Sequence, residues 1–227
     1  MKSIKNLMLV AFSLLLLNSC DNDSDPVVTA TEYANVLVAH TSPDAPGVDL
    51  LVNNSKINST ALVYPNNTGY LQVEAKTNNI KINVSGTSTS VINADVPFEK
   101  NKSYSIFAID SVSKISPLVL TDDLTAPASG KAHVRFVHLS PNAPAVDVAL
   151  VGGAVVFGNQ LFKGSTAFAP LDAGTYNLEV RVAGTSTVAL TLPPITLAAG
   201  KIYTVFAKGF LGASGAQALG AEIIVNK

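Results

Sequence analysis

Apolar and polar residues alternate along most of this chain with a period of two, the mark of strands that bury one face. Ile80, Ile82 and Val84 alternate with Lys81, Asn83 and Ser85, and much later Leu178, Val180 and Val182 alternate with Asn177, Glu179 and Arg181. Val48, Leu50 and Val52, matched by Val146, Val148 and Leu150, predict a second inward-facing row. About seven such runs in each half are separated by turn chemistry such as Asn53-Asn54, Asn66-Asn67, Gly152-Gly153 and Ala173-Gly174. A helical period is needed nowhere after the first apolar run, so the expected fold is all-β, built as antiparallel sandwiches.

The pattern is duplicated. His40-Thr-Ser-Pro-Asp-Ala-Pro-Gly-Val-Asp49 returns 98 residues later as His138-Leu-Ser-Pro-Asn-Ala-Pro-Ala-Val-Asp147. Gly86-Thr-Ser-Thr89 returns in the same register as Gly184-Thr-Ser-Thr187, and Tyr104-Ser-Ile-Phe-Ala108 returns one residue out of step as Tyr203-Thr-Val-Phe-Ala207. A fixed offset of this length is an internal repeat of domain size. It divides the chain into a leader (1–19), an acidic tether (20–31), a first sandwich (32–121), a linker (122–131) and a second sandwich (132–227). Breakers and polar residues fill the linker, which is too short to let the copies roam, so the pair is expected to form a semi-rigid rod.

The leader changes where such a protein would work. Met1 to Asn6 is a short basic start, and Leu7 to Leu17 is an apolar run too short for an ordinary transmembrane helix. It reads as a signal peptide ending at Leu17-Asn-Ser-Cys20, which resembles the lipobox of bacterial lipoproteins. The resemblance implies that Cys20 is acylated and becomes the new N-terminus, tethering the protein to a membrane without spanning it. Asp21-Asn-Asp-Ser-Asp25 after the cysteine resembles the export signals of surface lipoproteins. The expected address is therefore the cell envelope, at the outer membrane with surface exposure as the further expectation; Asp directly after the cysteine also resembles the inner-membrane retention signal of enterobacteria, and that alternative stays open. Cys20 is the only cysteine, so no disulfide forms within the chain.

Composition narrows the chemistry. Apolar residues make up 48% of the chain and charged residues 14%, so it can bury cores. Of 15 basic residues, losing Lys2 and Lys5 with the leader leaves 13 against 16 acidic ones, a net −3 that argues against a nucleic-acid partner.

Val134-Arg-Phe-Val-His-Leu-Ser-Pro-Asn-Ala-Pro-Ala-Val-Asp147 resembles the opening motif of domain of unknown function 4397, a family of bacterial secreted and lipoprotein domains. Ala173-Gly-Thr-Tyr-Asn-Leu-Glu-Val180 and Ala199-Gly-Lys-Ile-Tyr-Thr-Val205 resemble its later strands, and the resemblance extends over 34–227. In the first copy Asn78-Asn79 stands where the family begins a strand with Gly-Thr-Tyr, and Gly47 replaces Ala. The resemblance implies tandem immunoglobulin-like sandwiches and supplies no activity.

The repeated His, Ser and Asp invite a metal-site or hydrolytic reading. Period two instead turns His40 inward beside Val36 and Val38, and His138 beside Val134 and Phe136. Each ring is then a buried strut that bonds to its turn backbone or to the hydroxyl of Ser42 or Ser140, while Pro43 with Pro46, and Pro141 with Pro144, hold the turn open. Asp49 and Asp147 close the motif. Asn142 replaces Asp44, which weakens a metal set, and no Gly-x-Ser-x-Gly elbow supports a nucleophile. No catalytic residue, metal or cofactor is expected. The glycine-rich stretch Gly209–Gly220 lacks the ending of a phosphate loop, and Phe210 and Leu211 on it form the best candidate contact patch. With no Trp, only Tyr33, Tyr64 and Tyr70 could serve as sugar platforms, and Tyr70 aligns with Phe168, as a packing residue would. The leading expectation is a non-catalytic binding or adhesion protein with a protein or glycan ligand, not an enzyme. A structural spacer or accessory subunit of a surface complex is the alternative.

Overall fold

The alternation becomes two sets of strands in the computed structural model, which describes residues 30–227; the leader, Cys20 and the tether as far as residue 29 lie outside the described residues. The first copy comprises β1 (Tyr33–His40), β2 (Val48–Val52), β3 (Ser55–Lys56), β4 (Asn67–Glu74), β5 (Thr77–Val84), β6 (Ser90–Pro97), β7 (Ser103–Ile109) and β8 (Ser116–Asp122). The second comprises β9 (Lys131–His138), β10 (Val146–Leu150), β11 (Val155–Gln160), β12 (Ala169–Asp172), β13 (Gly174–Tyr176), β14 (Leu178–Val182), β15 (Val188–Thr191), β16 (Ile195–Leu197), β17 (Ile202–Lys208) and β18 (Gly220–Val225). Among the described residues only Val112–Lys114 and Gly215–Gln217 are helical, one short turn each. Asp122 and Lys131, which the repeat boundaries give to the linker, are strand residues, and the connection is 123–130.

Each copy is an immunoglobulin-like sandwich of two sheets. The first pairs sheet β4-β1-β7-β8 with sheet β3-β2-β5-β6; the second pairs β12-β9-β17-β18 with β11-β10-β14-β15 and adds a β13-β16 ribbon. Neighbouring strands are antiparallel except β1 with β7 and β9 with β17, which run parallel because each closes a long crossover through the opposite sheet. Val36, Val38, Leu50, Ile80, Ile82 and Ile106 fill the first core. Val134, Phe136, Val148, Val180 and Val205 fill the second. The row begun by Val48 and Val146 holds over its first members, but Val52 is half-buried and Leu150 is 37% exposed, because both strands run out there into turns at the sandwich edge.

The expected rod is replaced by broadside packing. Residues that period two would leave wet on β1, β7, β9 and β17 are themselves apolar: Leu37, Ala39, Phe107, Ile109, Val137 and Phe206 form a third core, joined by Leu139 and Ile224. Strands buried on both faces read as continuous apolar runs, as Val36–Ala39 and Phe136–Val137 do. Phe107 and Phe206 meet edge to face at 6.2 Å. Thr31–Lys227 is consequently one compact unit with four sheet layers.

Candidate functional site

Both motif histidines are fully buried at strand ends, on the side of their own sandwich core. His40 Nε2 lies 2.9 Å from the Pro46 carbonyl and His138 Nε2 lies 3.0 Å from that of Pro144. A carbonyl only accepts, so Nε2 carries the proton and donates in each case. Nδ1 of His138 accepts from the Ser140 backbone N–H at 3.3 Å. Each ring therefore spans its own Pro-x-x-Pro turn from inside, and the turn backbone rather than the serine hydroxyl is its partner. Among the described residues the Ser42 and Ser140 hydroxyls and His40 Nδ1 have no hydrogen-bond partner. Burial holds the pKa of both rings below the usual histidine value, outweighing the carbonyl bonds that favour protonation. They are neutral struts.

The repeated aspartates join the two repeated motifs. Asp49 accepts from the Gly86 N–H at 3.1 Å and the Ser85 hydroxyl at 3.0 Å, and Asp147 accepts from the Gly184 N–H at 2.8 Å and the Asn159 N–H at 2.6 Å. The Gly-Thr-Ser-Thr turn recurs with the aspartate because its first N–H needs that carboxylate. Lys56, 2.9 Å from Asp49, is the main cause holding that carboxyl below its ordinary range, with the Gly86 bond next.

The Asp44/Asn142 difference has its own explanation. Asp44 Oδ1 accepts from the Val112 N–H at 2.8 Å; Asn142 accepts from the Leu211 N–H at 2.8 Å and also donates to the Leu211 carbonyl at 3.0 Å. The amide clamps the longer second loop at two points where a carboxylate could use only one. Leu211 is 46% exposed on that loop and Phe210 is half-buried. The loop turns at Gly209, whose φ is +77° and whose added Cβ would stand 2.1 Å from the Ala218 carbonyl oxygen. In the first copy Asp110 holds the same left-handed position at φ +75°.

Among the described residues no group of three or more His, Cys, Asp or Glu side chains is placed to hold a metal. Of the three tyrosines, Tyr33 is 43% exposed, Tyr64 is half-buried and Tyr70 points into the contact between the copies.

That contact holds a polar cluster that sequence reasoning missed. Arg135 Nη1 stands 2.6 Å from Asp122 Oδ1, both side chains fully buried, as a charge contact not aligned for a hydrogen bond. The other Asp122 oxygen accepts from the Tyr70 hydroxyl at 2.5 Å and the Ser105 hydroxyl at 2.7 Å. Arg135 also donates to Ser105 at 2.9 Å and to Thr204 at 2.8 Å, and its guanidinium lies over the Phe168 ring. Thr204 donates to Asn226, which donates to Tyr70. The available signal was Arg135 itself, a lone cation inside the apolar run Val134–Val137 where the first copy has Leu37.

The motif therefore defines a class: tandem immunoglobulin-like sandwiches whose repeated polar residues brace turns and loops from within. Two segments, 34–149 and 149–225, match the family Domain of unknown function (DUF4397), and the chain belongs to that family. No curated protein matches it. Among solved structures, the C-terminal domain of AlgF from P. aeruginosa is 22% identical with TM-score 0.32, covering 42% of this chain and 98% of that one. The Bacillus anthracis TIE protein is 12% identical with TM-score 0.26, covering 78% of this chain and 34% of that one. A family CBM26 module of Eubacterium rectale Amy13K, solved with maltoheptaose, is 9% identical with TM-score 0.24, covering 84% and 95%.

Proposed function

We propose that this protein is a lipid-anchored cell-envelope component of the non-catalytic binding or adhesion type, held at the outer membrane through Cys20 and displayed on the surface. The observation that carries the reading is the commitment of the motif's His, Asp and Asn side chains to internal bonds, while the loop that Asn142 clamps presents Leu211 to solvent. Side chains committed to internal bonds in this way shape the turns and loops that a partner would meet. Acylation at Cys20 predicts palmitate labelling that vanishes in Cys20→Ser; labelling that persists refutes the anchor. Surface display predicts digestion when intact cells are shaved with protease, and full protection would refute it. Capture on arrays of glycans and envelope proteins should be saturable and lost in Leu211→Asp; capture indifferent to that change refutes the loop as the contact.

The four-layer packing favours a second reading, a rigid spacer or accessory subunit, because a third core and a buried ion pair fix one copy against the other. Co-purification of one stoichiometric partner from solubilised envelope, with no array ligand, would select it.

A further inference from the structure

The second sandwich encloses a cavity of about 120 Å³ at its motif end. Val180, Val182, Ala189, Leu190 and Leu219 wall it, and Leu211 of the clamped loop closes one side. Thr187 and the ring of His138 also border it, but both ring nitrogens are engaged elsewhere. The space is apolar, and it reaches solvent beside Ala189 and Leu211, which are both exposed.

The first copy shows where the space comes from. The ladder shifts by one residue between Ile82 and Asn83 opposite β6, and between Val180 and Arg181 opposite β15. The extra residue is Val91 in the first case and Ala189 in the second, and an extra residue at a bulge turns its side chain away from the regular alternation. Val91 packs against the first core together with Ile115 from the β7–β8 loop. Ala189 lacks the two methyl groups of Val91, and Val180 lacks one carbon of Ile82 at the equivalent core position. The missing carbons lie around one void, beside a loop that Asn142 fastens through the N–H and carbonyl of Leu211.

We propose that the second sandwich binds a compact apolar ligand in this cavity, a single aromatic ring or a branched alkyl group of similar bulk. A dry apolar cavity of about 150 Å³ takes up benzene, and one of about 120 Å³ is of comparable capacity. Recognition is by size and burial, since the walls are almost wholly apolar. This site stands whether or not the envelope reading holds, because it concerns the sandwich interior and not Cys20 or the exposed tip of Leu211.

Residues 31–227, one compact unit, provide the test, with toluene as the probe and methyl NMR as the locator. At about ten times its dissociation constant toluene should raise Tm by roughly 3–6 °C, shift the methyl signals of Val180, Leu190 and Leu219, and leave those of Val36 and Val38 unmoved. Ala189→Val and Val180→Ile, each restoring the residue of the first copy, should keep or raise the ligand-free Tm and lose at least most of the toluene response. Toluene that moves neither Tm nor these methyls in the wild type overturns the proposal. So does a response that either folded variant retains in full, which would place the probe elsewhere.

Discussion

Replacing Asp122 with alanine is the sharpest test of the contact between the copies. Among the described residues the substitution removes the one carboxylate in contact with Arg135, whose guanidinium is buried between two sandwiches. Arg135 keeps Ser105, Thr204 and the Phe168 face, so part of its solvation survives. Tyr70 and Ser105 lose a charged acceptor, each such bond being worth about 1.5–3 kcal/mol, though not additively. Breaking one side of a buried ion pair typically costs about 3–5 kcal/mol, chiefly through the charge left behind. Asp122→Ala should therefore lower the urea-unfolding free energy of residues 31–227 by about 3–5 kcal/mol. Arg135→Leu, which places the first copy's Leu37 in the second, should rescue it: the double variant should return to within about 1 kcal/mol of wild type or exceed it. A loss below about 1 kcal/mol for Asp122→Ala, or a double variant as weak as the single, would mean that the pair is wet and the broadside contact is not as described.

Three further outcomes follow from the motif and the tyrosines. His138→Ala should cost roughly 1–3 kcal/mol, because the Pro144 carbonyl and the Ser140 N–H lose their partner; melts with chelator, calcium or zinc should coincide, and a metal-dependent rise abolished in His138→Ala and Asp147→Ala would make the motif a metal site. Because the folded pKa of His40 and His138 is lowered, the unfolded chain takes up their protons first, so stability should fall as pH drops below about 6.5; urea midpoints at pH 7.5 and 5.5 measure this, and an unchanged slope in a His40→Gln, His138→Gln variant that still folds would refute the assignment. Tyr64 is pushed up to about 12 and Tyr70 is also raised, in both cases mainly by burial, so their contribution is intact below pH 10 and is lost as pH rises toward the folded values. Phenolate absorbance should show two tyrosines ionising together with alkaline unfolding, and free titration of both near pH 10 in the folded protein would contradict their burial.

The sandwiches and the motif were legible because their signals are local. Alternation in β5 and β14 reports a single buried face, and the inward side of His138 follows from counting residues along β9. The Pro-x-x-Pro carbonyl as the histidine's partner is close in sequence, at a separation of six. The broadside packing was not legible in the same way. Period two assigns one wet face to each strand, and the apolar runs Val36–Ala39, Ile106–Ile109, Phe136–Val137 and Val205–Ala207 break that rule, which a reading strand by strand takes for tolerance. The cavity was less visible still, since it depends on two bulges and on pairing Val91 with Ala189, a comparison that needs the ladder register as well as the repeat.

Arg135 carries the asymmetry between the copies further. Asp122 ends the last strand of the first sandwich and Asn226 directly follows that of the second, in equivalent places, as Leu37 and Arg135 are on the first strands. A contact between two first copies would bring the Asp122 carboxylates together with leucines where the arginine should be, leaving buried anions without a cation. A contact between two second copies would bury two guanidiniums against amides. Either arrangement leaves unpaired charge in a dry interface, at a cost of several kcal/mol per ion, whereas first against second pairs the one anion with the one cation. The same apolar surfaces, Phe107 facing Phe206, would attract in all three combinations. Burial supplies the adhesion, and the single ion pair favours first against second over either like pairing.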